Sequence, residues 1–86
     1  MEEFAIIANQ TLANEEEVIY SNNRGAVIKT ILLSAQAEGE AVLTFDGISF
    51  PVKVRNELTM ISTPIMTKEI KASGNSVNIH VTGLQL

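Results

Sequence analysis

The residues of this 86-residue sequence that could do chemistry are a single histidine and a few carboxylates. His80 is the only histidine, and an imidazole on a strand could serve as a metal ligand or a general base. Either role needs a partner, and no carboxylate or cysteine lies at ligand spacing beside it. We therefore interpret His80 as a surface or interface residue.

The acidic residues offer three further places for chemistry. The run at residues 15–17 could bind a cation, but such a run is usually a solvated approach to a strand. Glu38 and Glu40 bracket a glycine turn, and an acid–base pair needs a cleft that so short a chain cannot build. Asp46 is explained by its place in a turn. The sequence therefore predicts no catalytic residue, no metal ligand, no cofactor and no enzyme activity.

Composition excludes several classes of partner. The chain has no cysteine, so neither a disulfide nor a cysteine metal site can form. The net charge is −4 and the six basic residues are scattered, whereas a protein that binds nucleic acid carries a basic face. The acidic start, Met1-Glu2-Glu3, lacks the positive segment of a signal peptide, and no apolar run approaches the ~20 residues that cross a bilayer. We expect cytoplasmic synthesis without a signal peptide, and neither a nucleic-acid nor a membrane partner.

The element best defined by the sequence is a hairpin around Asp46-Gly47. An Asp-Gly pair between alternating apolar residues is typical of a type I′ turn, and its two-residue loop fixes the register of the strands. The apolar face then pairs Phe45 with Ile48, Leu43 with Phe50 and Ala41 with Val52. The other face pairs Thr44 with Ser49, Val42 with Pro51 and Glu40 with Lys53. Since Pro51 cannot donate to a neighbour on its far side, we expect Ile48–Val54 to be an edge strand.

The other strands are predicted from apolar runs between polar turns. They are residues 4–8, 18–20, 26–34, 58–63, 68–72 and 77–86, with residues 21–25 as one of the turns. Within 26–34, one face would carry Val27, Ile31 and Leu33, and the other Ile28, Thr30 and Leu32. About eight short strands at intervals of roughly 8–12 residues predict an all-β fold, an antiparallel β-sandwich of jelly-roll type. The length predicts a single domain over residues 1–86.

The last strand contains most of the candidate interface. Three apolar residues, Val77, Ile79 and Val81, alternate with three polar ones, Asn78, His80 and Thr82.

Gly83 then leaves two possibilities. A regular strand would place Leu84 and Leu86 beside His80, as an apolar stripe suited to a partner subunit. A bulge at Gly83 would instead turn both leucines into the core, and we favour the bulge. Tyr20 completes the candidate interface residues, with its hydroxyl expected at a rim.

Three blocks of the chain resemble small β-sandwich proteins from the structural genes of tailed bacteriophages, which serve in tails, head–tail connections or capsid decoration. The blocks are AVIKTILLSAQAEG, AVLTFDGISFPV and KASGNSVNIHVTGLQL, and the resemblance covers most of residues 18–86. Residues 67–69 (TKE) stand where that group usually has a Gly-Asp turn. The resemblance carries over no catalytic residue. It implies repeated copies, symmetric contacts, binding to other virion proteins and a place in the virion.

Two classes of function stay open. The first, which we favour, is a structural or assembly protein that acts by symmetric self-association and by binding other virion proteins. The second is a small β-sandwich binding module whose loops hold a ligand or a host protein. A small, cysteine-free domain with 19% charged residues gains stability by oligomerisation, so we expect a homo-oligomer.

Overall fold

The computed structural model describes residues 5–62 and 64–86, and within them it shows β-strands and no helix. The strands are β1 (Ala5–Leu12), β2 (Glu17–Ala35), β3 (Gly39–Phe45), β4 (Ile48–Val54), β5 (Thr59–Ile61), β6 (Ile65–Ser73) and β7 (Val77–Gln85). They form one antiparallel sheet in the order β1-β7-β2-β6-β3-β4, with β5 paired to β2 beside that path. The all-β prediction is confirmed. The described residues form seven strands where about eight were expected. The strand positions predicted at Phe4 and Thr63 lie outside the described residues.

The β3–β4 hairpin forms in the predicted register, from the pair Phe45–Ile48 to the pair Glu40–Lys53. Asp46 and Gly47 both take positive φ, 49° and 89°, as a type I′ turn requires. Beyond the hairpin, β4 stands at the end of the strand order, so the edge position predicted from Pro51 is confirmed.

The predicted turn at residues 21–25 is wrong, because β2 runs through it as one strand and merges two predicted strands. On β6, Ser21 pairs with Glu69 and Ala26 pairs with Thr67, so residues 22–25 of β2 stand opposite Lys68 alone. These polar residues form a wide bulge in a strand that is paired on both sides of it. The polar composition of residues 21–25 indicates that the regular strand is interrupted there. Because the residues on both sides pair with β6, the interruption is a bulge and not a turn.

Local hydrogen bonds and one glycine stabilise this bulge. The backbone N–H of Arg24 donates to Asn22 Oδ1 over 3.1 Å, an Asx-type contact. Gly25 takes a φ of 84°, and a Cβ there would lie 3.1 Å from the carbonyl oxygen of Thr67. A residue without a side chain is required at this point.

One apolar cluster fills the inward face of the sheet. Its buried members are Ala8, Leu12, Ala26, Ile28, Ile31, Leu33, Ala35, Ala41, Leu43, Phe45, Val54, Ile70, Ala72, Val77, Ile79 and Val81. Ile70 and Ala72 are the buried apolar residues that β6 contributes to this cluster. Backbone hydrogen bonds tie distant elements around this core, from Ala35 N to the Arg55 carbonyl (3.0 Å) and from Gly74 N to the Ala13 carbonyl (2.7 Å). No described segment forms a helix with the length and apolarity needed to cross a membrane.

Candidate functional site

The last strand, β7, alternates regularly through Gly83, so the bulge predicted there is wrong. Val77, Ile79, Val81 and Gly83 are all buried, as an unbroken period of two requires. The irregularities lie in both neighbouring strands at the same level. In β1 the extra residue is Ile7, and in β2 it is Lys29.

The reason for a glycine at this position is a close approach of backbones. A Cβ on Gly83 would collide with the carbonyl oxygen of Val27 and would stand 3.0 Å from the Cα of Ile28. The bulged part of β2 therefore needs the space that any side chain on Gly83 would occupy. The sequence showed that Gly83 was special, but not that the neighbouring strands were the ones that bulge.

The bulge at Lys29 also corrects the predicted faces of β2. Ile28 is buried with Ile31 and Leu33, whereas the sequence placed it on the opposite face from them. Val27 points outward, because it pairs with Met66 on one side and with Leu84 on the other. One extra residue reverses the faces on its N-terminal side.

The outward side chains of this region form a continuous surface that we call the neutral face. It comprises Ile6, Asn9 and Thr11 of β1; Asn78, His80, Thr82 and Leu84 of β7 with the adjacent Leu86; Val27, Thr30, Leu32 and Ser34 of β2; Met60 of β5; Met66 of β6; and Leu58. Three of the candidate interface residues, His80, Leu84 and Leu86, lie on it together.

Two cross-strand rows organise the neutral face. In the first, Met66, Val27 and Leu84 stand side by side on β6, β2 and β7, and Met66 is 70% exposed. Leu86 lies next to this row, because its N–H donates to the Gly25 carbonyl over 3.1 Å. The row is an apolar strip across three strands, open to solvent.

In the second row, Met60, Leu32 and His80 stand side by side on β5, β2 and β7, and Asn9 of β1 follows. A shallow hollow of about 150 Å³ opens here, with Leu58 on its rim. His80 is half-buried among neutral neighbours. Partial burial among neutral side chains is typical of a residue in a protein–protein interface, which agrees with the interpretation of His80 as a surface or interface residue.

Charge is almost absent from the strands that supply most of this face, whereas β6, which supplies Met66, carries Lys68, Glu69 and Lys71. β1, β5 and β7 contain no Asp, Glu, Lys or Arg, and residues 26–35 of β2 contain only Lys29. Of the eight large hydrophobic side chains that are exposed among the described residues, five lie on the neutral face, namely Ile6, Leu58, Met60, Met66 and Leu86. Val27, Leu32, Met60 and Met66 were not predicted as members of the neutral face. The nearly uncharged composition of β5 and of residues 26–35 of β2 was the signal that could have found the first three.

Tyr20, the fourth candidate, lies on the other side of the sheet. It pairs with the buried Ile70 and packs against the core, and its hydroxyl accepts a hydrogen bond from Asn22 Nδ2 over 3.1 Å. Tyr20 is therefore not part of the neutral face.

A second apolar surface lies beside the β3–β4 hairpin, and we call it the hairpin groove. It has a volume of about 300 Å³ and its lining is wholly apolar: Ile31, Leu43, Phe45, Phe50, Val52, Ile61 and Ile65. Phe45 and Phe50 pack at a tilt with ring centroids 6.2 Å apart. The apolar face of the hairpin was predicted, but it is not fully buried, since the side chain of Phe50 on this face is 51% exposed.

Asp46 is the carboxylate with the most hydrogen bonds. Its Oδ1 accepts from the backbone N–H groups of Lys68 (2.9 Å) and Glu69 (3.0 Å) and lies 3.0 Å from the hydroxyl of Thr67. The two backbone donors, with smaller contributions from Thr67 and the Lys68 charge, lower the pKa of Asp46 below its ordinary value of 3.8. A carboxylate held ionised in this way is structural, because it fastens the hairpin to β6.

Most of the other described carboxylates belong to exposed residues, namely Glu15, Glu16, Glu17, Glu38, Glu40 and Glu57. Glu16 Oε2 accepts from the Thr44 hydroxyl (3.3 Å) and Glu17 Oε1 accepts from Gln10 Nε2 (2.9 Å), so both contact neighbouring strands. Glu38 and Glu40 line an open hollow of about 500 Å³ with Lys53 and Arg55. Across residues 5–62 and 64–86, no three acidic or histidine side chains gather into a group that could hold a metal ion.

Comparisons with protein-family models, with curated proteins and with solved structures find no match to this chain.

Proposed function

We propose that this chain is a non-enzymatic structural protein that works by self-association and by binding other proteins. The observation that carries this proposal is the amount of apolar surface that so small a domain exposes. Within residues 5–62 and 64–86, the exposed large hydrophobic residues are Ile6, Val18, Ile48, Phe50, Leu58, Met60, Met66 and Leu86. Contiguous apolar patches on a small protein mark interaction sites, and here seven of the eight fall on the neutral face or the hairpin.

The setting we propose is the virion of a tailed bacteriophage, in a tail, a head–tail connection or a capsid decoration. The support is the sequence resemblance over most of residues 18–86. An all-β domain with two distinct apolar surfaces suits such a role, because a repeated structural protein needs one contact for its own copies and another for its neighbours.

We also propose that the sheet is bent into the two layers of a sandwich. β2 supports this reading, because its first part pairs with β6 and its last part pairs with β7 and β5. The hydrogen bond from Ala35 N to the Arg55 carbonyl brings the end of β4 back to the end of β2. The wide bulge at residues 22–25 lies where such a bend would occur.

Sedimentation velocity over low to high micromolar concentration tests the proposed function. We expect the average mass to rise with concentration toward a discrete oligomer, because buried apolar surface drives association. A chain that stays monomeric throughout would contradict self-association and would support the alternative, a monomeric binding module that uses the hairpin groove. At about 300 Å³ that groove is at the lower limit of known ligand pockets.

A further inference from the structure

We infer that the neutral face is the surface through which two copies of this chain pack, sheet against sheet, around a two-fold axis. This assignment rests on the proposed self-association and names its surface, its partner and its symmetry.

The regular alternation of the β7 backbone places the side chains of Leu84 and Leu86 on the outward side of the sheet. β7 keeps a regular period of two while β1 and β2 bulge around it, so Leu84 shares a side with Thr82 and His80. The inward side is already filled by Ile79 and Val81. Leu84 and its neighbours in the row therefore have no place in the core of their own domain, and they are left for a partner.

Charge selects a second copy over a charged partner. The whole chain carries a net charge of −4, so two copies repel wherever their acidic residues meet. The neutral face is a broad surface on which they can approach with most of those charges kept apart, since β1, β5, β7 and residues 26–35 of β2, which supply most of it, carry only Lys29. A strongly charged partner would find no complementary charges there, whereas an identical face presents matching apolar and neutral polar groups.

The area is sufficient for a specific dimer. The nine residues of β7 extend for roughly 30 Å at ~3.3 Å per residue, and the strands β1, β7, β2 and β5 span roughly 20 Å at ~4.8 Å spacing. The flat area is therefore about 600 Å² per copy, or about 1,200 Å² for the two copies together, which is the lower end of the range for specific interfaces.

The central position of the polar residues explains why the contact would be closed and two-fold. His80 and Thr82 lie near the middle of β7, with Met60 level with His80 on the outlying strand β5 and Leu86 just beyond the end of β7. A two-fold axis near the middle of β7 keeps these polar residues at the centre of the contact and brings the apolar residues around them against the same face of the other copy. The same patch serves both subunits, so association stops at a dimer.

The decisive experiment compares matched substitutions on the two apolar surfaces. Met60 on the neutral face and Ile48 beside the hairpin groove are both 63% exposed, so Met60→Glu and Ile48→Glu place the same charge at equally open sites. A third variant, Leu86→Ser, removes apolar surface without adding charge. Sedimentation velocity gives the dimer dissociation constant of each, and circular dichroism with thermal unfolding confirms that each folds.

We expect Met60→Glu to raise the dissociation constant by about tenfold to a hundredfold, because it buries a charge in the contact, and Leu86→Ser by about tenfold, because it removes apolar contact area. We expect Ile48→Glu to leave it unchanged. If the wild-type chain associates and Ile48→Glu alone dissociates it, or if all three variants or none weaken it, the assignment is overturned while self-association stands. If the wild-type chain is monomeric, the proposed function itself fails.

Discussion

Asp46 shows how one side chain can serve both a local turn and a distant strand. Asp46 takes the positive φ of the first central residue of the type I′ turn. Its carboxylate accepts hydrogen bonds from the backbone N–H groups of Lys68 and Glu69. Its own N–H donates to the Glu69 carbonyl over 3.1 Å. The tip of the hairpin is thereby fixed to β6 at the level of the wide bulge in β2. The sequence accounted for the turn alone, because the second set of contacts joins residues far apart in the chain.

The ionised form of Asp46 is predicted to stabilise the fold. Because its pKa in the folded protein lies below the ordinary value of 3.8, its contribution is complete above that value and is lost as the pH falls through the folded pKa. Asp46→Asn keeps a side chain that suits a type I′ turn and removes only the charge. We expect the variant to unfold at lower urea concentration at neutral pH, and the difference from wild type to shrink in acid.

Urea unfolding at a series of pH values measures this difference. Asp46→Asn retains an acceptor oxygen, so the loss at neutral pH is partial. Two unfolding curves that stay the same distance apart from neutral to acid pH would contradict the role of the charge.

At the level of strands, the contact between β7 and β2 depends on Gly83. The bulged backbone of β2 fills the place of a side chain at Gly83, so the two strands approach more closely here than a Cβ allows. Ile7 produces a second bulge in β1 at the same level. β7 is therefore a regular strand between two neighbours that each contain one extra residue. This arrangement sets the face on which Leu84 lies.

Gly83→Ala is predicted to lower the free energy of unfolding by about 2 kcal/mol or more, since the atoms it meets are backbone atoms that cannot rotate away. Gly39→Ala is the matched control, because nothing lies within 4 Å of a Cβ there and the residue does not take positive φ. The control should be neutral or stabilising by about 0.5 kcal/mol. Chemical denaturation of both variants checks this, and equal stability would contradict the close approach.

The hairpin was predictable in detail and the rest of the sheet was not. A two-residue Asp-Gly loop sets the register of β3 and β4 through local geometry alone, so its six pairs follow from the sequence. The bulges in β1 and β2 depend on which strands lie beside them. Composition at residues 21–25 signalled a break, but only pairing with β6 on both sides decides whether the chain turns or continues.

For the whole molecule, the main feature is the separation of charged from neutral surface. The segments that supply most of the neutral face, namely β1, β5, β7 and residues 26–35 of β2, carry no charged side chain except Lys29, although the whole chain has a net charge of −4. Two copies that meet through this face bury neutral groups and keep their like charges at a distance. The electrostatic contribution to association is then the long-range repulsion between the negative net charges of the two copies, and salt screens this repulsion.

Salt therefore gives a prediction at this scale. Raising sodium chloride from ~0.01 M to ~0.5 M shortens the screening length from about 30 Å to below 8 Å, so the dimer should become tighter or stay equally tight. Sedimentation velocity at each salt concentration measures the dissociation constant. A dimer that weakens as salt rises would show that ion pairs hold it together, against the neutral face.

The sequence by itself determined the all-β class, the hairpin with its register, and the edge position of β4, because all three follow from alternation and from turn residues that act over a few positions. It also contained the uncharged composition of β1, β5 and β7. Tertiary structure alone decided which side of the sheet each of these strands shows to solvent. The face of Leu84 and Leu86 depends on single extra residues in β1 and β2, and in strands with a period of two one such residue reverses the direction of the side chains.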